Sequence, residues 1–103
     1  MAEESPFVVI VQFRTEVGQQ AEALQQIGAY VDGFLRLQDG FLGSELLRDG
    51  SGTAVVHVAR WRSEPDFRAF AAQAQSHPDL PKLRRYQPVA SFHSIWQRYE
   101  SPG

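Results

Sequence analysis

Two side chains able to do chemistry lie four positions apart in the run Ala54-Val55-Val56-His57-Val58-Ala59-Arg60-Trp61. The imidazole of His57 gains and loses a proton near neutral pH, which suits a general base. The indole of Trp61 can stack on a flat ligand and keep water away from it. β-Branched residues dominate the run, so it predicts a strand, and the side chains of a strand alternate between faces. Even spacing then puts His57 and Trp61 on one surface and Arg60 on the other. The strand leads directly into Ser63-Glu64-Pro65-Asp66, where Ser63 can cap a helix, Pro65 fits its first turn and Asp66 suits the positive end of its dipole. Phe67 and Phe70, three apart, form the buried side of that helix.

The remaining histidines, His77 and His93, belong to other elements and show none of the short ligand spacings of a metal centre, so no metal is expected. Cysteine is absent, which excludes disulfides, thiolate ligands and thiol nucleophiles. A formal charge of -2 gives no broad attraction for phosphate backbones, so nucleic acid is not an expected partner. Nor is a membrane, because no stretch approaches the roughly 18 consecutive apolar residues of a spanning helix. The opening residues are acidic and polar rather than basic and then apolar, which points to a cytoplasmic protein.

The elements that must position these groups follow from periodicity. Residues 7–13 form an apolar strand with both faces hydrophobic, as expected of a central strand or of one covered by helices on one side and a second sheet on the other. A long helix is expected over residues 17–37, with Leu24, Ile27, Val31 and Phe34 inward and closed by Asp39-Gly40. Residues 41–48 form the second strand, and Asp49-Gly50-Ser51-Gly52 is a hairpin turn into the third. His77-Pro78-Asp79-Leu80-Pro81 interrupts the second helix, a short helix is expected at 82–86, and the last strand at 89–99. With 43% hydrophobic and 21% charged residues, 103 positions suit one globular domain. The order β-α-β-β-α-β is the ferredoxin-like α+β arrangement with an antiparallel sheet.

The segment Ala59-x-Trp61-x-Ser63-Glu64-x-x-Phe67, after Gly52-Thr53-Ala54-Val55-Val56 and the earlier Gly40-Phe41-Leu42, resembles the antibiotic biosynthesis monooxygenase domain. The resemblance spans nearly the whole chain and implies one domain over residues 7–99 with flexible tails at 1–6 and 100–103. It also implies a homodimer in which two sheets form a shared α+β barrel, each subunit holding a pocket between sheet and helices.

The nearest likeness is to cofactor-independent oxygenases of aromatic polyketide pathways, which convert anthrone-like phenols to quinones with molecular oxygen. Their pattern carries Asn and Trp on the strand and Tyr on the next helix. Here Trp61 matches, His57 stands in place of the Asn and Phe67 in place of the Tyr. The resemblance implies His57 and Trp61 as catalytic residues. Phe67, Phe70, Tyr30, Phe34, His77 and an arginine, taken as Arg85 from among Arg62, Arg84 and Arg85, are then expected to bind a small aromatic substrate. No cofactor is implied. A polyketide cyclase of the same barrel type, a haem-degrading relative and a non-catalytic binder are the competing readings.

Overall fold

The computed structural model describes residues 6–103. Its elements are β1 (Phe7–Arg14), α1 (Gln20–Gly33), a 3-10 turn (Leu35–Leu37), β2 (Phe41–Arg48), β3 (Ala54–Trp61), α2 (Glu64–Ala74), α3 (Leu80–Arg84) and β4 (Val89–Ser94). The strands form one antiparallel sheet in the order β2-β3-β1-β4. This is the expected ferredoxin-like α+β arrangement. The described part of the flexible tail expected at residues 1–6 is Pro6 alone, and the rest of it lies outside the described residues. No helix among the described residues is long and apolar enough to cross a membrane.

The helices cover one face of the sheet, and the core lies between them. β1 contributes Val9 and Phe13, β3 contributes Val55, Ala59 and Trp61, and α1 closes over them with Ala23, Ile27 and Tyr30. Along β3 every second side chain, Val55, His57, Ala59 and Trp61, is buried, so the strand keeps its alternation without a bulge against β1. The α2 cap forms as expected: the Ser63 hydroxyl oxygen accepts from the Asp66 N–H at 3.3 Å and its O–H donates to the Asp66 carboxylate at 2.9 Å.

Several boundaries depart from the sequence reading. The first helix starts at Gln20 because Gly18 turns the chain at φ +90°, leaving Val17 outside and exposed. It ends at Gly33, since Phe34 leaves helical geometry at φ −138° and only a 3-10 turn follows. Its most buried stripe is Ala23, Ile27 and Tyr30, with Leu24 and Val31 half-buried, because the small Ala23 lets α1 approach the sheet.

Gly40 therefore does not close α1. At φ +84° it steers the chain into β2, pressed so close to α2 that a Cβ there would stand 2.5 Å from Asp66. The short helix begins two residues before the expected start, at Leu80, since Pro81 in its first turn needs no hydrogen-bond partner. β4 stops at Ser94 and does not reach Tyr99: its only neighbour, β1, begins at Phe7, which pairs with Ser94, and the ladder ends there.

β1 is central, as its two apolar faces predict, but the described residues cover only one of those faces. By register, Val8 and Ile10 of β1, Val56 and Val58 of β3, Leu47 of β2 and Val89 of β4 share the face that no helix covers. Leu47 and Val89 are exposed. The Arg60–Glu45 ion pair, at 2.8 Å, and His93, 2.8 Å from the Ser91 hydroxyl, lie on this same face.

Candidate active site

A cavity of about 330 Å³ lies between the sheet and the helices, with His57 and Trp61 in its wall. It exists because small residues oppose one another there. Ala59 separates His57 from Trp61 on β3, Ala90 lies on β4, and Ala71 and Ala74 face them from α2. Each leaves room that a larger side chain would fill. Val9, Val11 and Phe13 of β1, Ile27 and Tyr30 of α1, and Leu80 and Leu83 of α3 complete an almost wholly apolar lining. A hollow of about 480 Å³ at the β1–β3 end of the sheet is lined by Gln12, Arg14, Thr15, Thr53 and Gln87, with Phe13, Ala54 and Val89. It holds no group that titrates near neutrality, so the smaller cavity is the candidate site.

His57 is 4% exposed, flanked across the sheet by Val11 and Leu46. Its Nε2 is buried and has no hydrogen-bond partner among the described residues. A buried ring nitrogen left unsatisfied costs free energy, and a ligand that hydrogen-bonds to it removes that cost. Burial pushes the imidazole pKa below its ordinary value, opposed more weakly by the charge of Glu45. The ring is therefore neutral at pH 7, with a lone pair available to take a proton.

Between the lowered folded pKa and the ordinary value near 6.5, the unfolded chain binds more protons than the folded one, so stability falls as pH drops through that window. Exchange of His57 for leucine removes the group responsible. Urea melts of wild type and His57→Leu at pH 7.5 and pH 5 are expected to show the variant gaining relative to wild type at the lower pH; a pH-independent difference would contradict a buried neutral imidazole.

Aromatic rings form one continuous wall. Trp61, 1% exposed, stacks on Phe70 at 5.1 Å and meets Phe67 and Phe41 edge-on at 5.8 and 5.5 Å. Tyr30 lines the same cavity. Burial first, and the charge of Asp79 second, push its pKa up to about 12, so its phenol stays protonated and can only donate or accept as a neutral group.

His57, Trp61, Phe67, Phe70 and Tyr30 thus converge on one space. Phe34 and His77 do not line it. They stand behind it, 4.4 Å apart ring to ring, with Phe34 against Phe70 at 5.7 Å and His77 edge-on to Tyr30 at 5.1 Å. His77 Nδ1 accepts the Asp79 N–H at 3.0 Å, so this ring holds the turn into α3 rather than a ligand. Arg85 is turned away from the cavity: its guanidinium pairs with Glu22 and donates to the Tyr86 hydroxyl at 2.8 Å. Arg62 is held on the surface by Asp66.

The arginine on the lining is Arg84, with Gln75 beside it. Sequence reasoning passed over Gln75, Leu83, Ala71 and Ala74. The last two were readable, since Phe67, Phe70, Ala71 and Ala74 make one helical stripe.

An apolar slot with a neutral buried base, a neutral phenol and a single cation can bind a flat, largely apolar molecule and withdraw a proton from it. The family model described as antibiotic biosynthesis monooxygenase matches residues 6–77. No protein of curated function matches the sequence. Among solved structures, the monooxygenase from the gene ActVA-Orf6 of Streptomyces coelicolor, in complex with the ligand nanaomycin D, is 25% identical over 94% of this chain and 93% of its own, with a TM-score of 0.77. SnoaB, a cofactor-independent oxygenase from Streptomyces nogalater, is 23% identical over 97% and 99%, with a TM-score of 0.71. PA3566 from Pseudomonas aeruginosa shares the fold at 13% identity over 94% and 100%, with a TM-score of 0.70.

Proposed function

Because this chain belongs to the antibiotic biosynthesis monooxygenase family, we propose that it oxidises a polycyclic phenol of the anthrone class to the quinone with molecular oxygen, in aromatic polyketide biosynthesis. The observation that carries the reading is the unpartnered Nε2 of His57 inside an apolar, aromatic-walled cavity that also holds Trp61. An anthrone has a methylene group made acidic by the flanking aromatic rings and carbonyl. His57 Nε2 accepts one proton from that carbon, and Trp61 and Phe70 hold the flat rings against it. The resulting anion is electron-rich enough to pass one electron to oxygen. The two radicals combine at the deprotonated carbon, and the peroxide takes a proton back from the imidazolium. Loss of the second C–H proton with cleavage of the O–O bond then leaves a carbonyl and one water. One substrate and one oxygen thus give one quinone and one water.

With 9-anthrone as substrate, an oxygen electrode is expected to record one oxygen consumed per quinone formed, at a rate proportional to protein concentration. A rate equal to the protein-free control would sink the proposal. A cyclised polyketide product formed with no oxygen consumed would assign the same base to aldol chemistry instead.

The reading includes a homodimer formed through the open sheet face. Val8, Ile10, Leu47, Val56, Val58 and Val89 make an apolar surface of the kind that a second sheet covers. Light scattering at micromolar concentration is expected to give twice the chain mass, and a monomeric mass would remove the barrel.

A further inference from the structure

The cavity has one polar end. Phe67 lies in the first turn of α2 and Gln75 just past its last residue, eight positions on, so about 12 Å of helix separates the Trp61 end of the cavity from Gln75. At the Gln75 end stands Arg84, the last residue of α3. Arg36, Arg60, Arg62, Arg68 and Arg85 each have a carboxylate partner, while Arg14, Arg48 and Arg98 have none among the described residues but do not line this cavity. Arg84 has none among the described residues. Its one side-chain hydrogen bond among the described residues runs from Nη2 to Gln75 Oε1 at 3.5 Å, the outer limit for such a contact. Among the described residues no Asp or Glu lines the cavity, and Asp79, on the neighbouring turn, is paired with Lys82 at 3.6 Å.

We propose that Arg84, with Gln75, is a specificity-determining pair that recognises a carboxylate on the substrate, carried on the terminal ring remote from Trp61. This rests on the reading of the cavity as a pocket for polycyclic aromatics. A carboxylate supplies two acceptor oxygens for a guanidinium that no acid among the described residues engages. The Gln75 amide N–H can donate to the same group while its Oε1 keeps its contact with Arg84. The role is distinct from proton transfer at His57, because the charge on the carboxylate is present before and after the reaction. It therefore contributes to binding in the ground state and the transition state alike.

Binding without turnover tests this. Anthraquinone-2-carboxylate and anthraquinone-2-carboxamide have the same rings and differ in charge, and neither requires oxygen. Calorimetric titration of the wild-type protein is expected to show the carboxylate bound about tenfold more tightly, a preference that shrinks as salt is raised. Arg84→Gln is expected to abolish the preference while leaving the carboxamide affinity unchanged, and Arg84→Lys to restore part of it. Arg68→Gln, which removes one positive charge from the outer side of α2, is expected to leave it intact. Equal binding of the two probes by wild type overturns the proposal while leaving the aromatic pocket standing, as does an Arg84→Gln variant that weakens both probes alike. Failure of both probes to bind overturns the pocket as well.

Discussion

Replacement of His57 by glutamine is expected to lower kcat at pH 7 by about a hundred- to ten-thousandfold, the range a positioned general base contributes. Glutamine has a polar end and similar bulk but no lone pair basic enough to hold a proton at neutral pH, so the effect isolates proton transfer from packing. Affinity for a quinone product is expected to change by no more than about threefold, since the aromatic wall is untouched. The pH profile supplies a second signature. Burial lowers the pKa of His57, so the acidic limb of kcat/KM in wild type is expected below the ordinary imidazole value of about 6.5. That limb should vanish from the residual activity of His57→Gln. A variant that keeps wild-type kcat, or an unchanged acidic limb, would remove His57 from the chemistry.

Trp61→Ala is expected to cost about 3–5 kcal/mol of stability, the usual loss when a buried aromatic is truncated in a well-packed core. The reason is local and specific: the indole is 1% exposed and touches Phe41 of β2 and Phe67 and Phe70 of α2, so it fills the space between the two elements. For a domain of this size the loss corresponds to a fall of about 15–30 °C in the thermal midpoint. Trp61→Phe keeps part of the contact and should fold with a smaller penalty, which makes it the variant for kinetic work. Its KM for the aromatic substrate is expected to rise. Chemical unfolding at matched protein concentration measures both variants. A loss under about 1 kcal/mol for the alanine variant would show that the indole packs far more loosely than the structure indicates.

The shared face of His57 and Trp61 could be read directly, because a strand has an exact period of two and nothing between them breaks it. The α2 start was equally plain, since Ser63, Pro65 and Asp66 each have a local reason to be where they are. The first helix was harder. Its apolar residues are more numerous than its buried face can use, and the deciding residue is the small Ala23, which carries little hydrophobic signal. The end of β4 depends on where β1 begins, which is a tertiary fact.

The arginine shows the same limit. Arg84 and Arg85 are adjacent and of one type, and the choice between them rests on the register of a five-residue helix and on Glu22 and Tyr86 waiting on the other side. His77 and Phe34 share an element order with the pocket but stand one layer behind it, a distinction that spacing does not encode.

The four alanines that hollow the cavity have a consequence for how such a domain acquires new substrates. Ala59 sits on β3 and Ala90 on β4, the two strands that flank β1, and Ala71 and Ala74 on a helix, so none of their side chains is needed for a turn, a cap or a hydrogen-bond ladder. A larger side chain at any of them would take up cavity space without removing a backbone hydrogen bond. In the proposed reaction, the shape of the substrate accepted would be set by methyl groups at these four positions, while His57 and Trp61 stay where β3 puts them. Divergence within this architecture can then proceed one side chain at a time, with the reaction retained and the molecule it accepts redrawn.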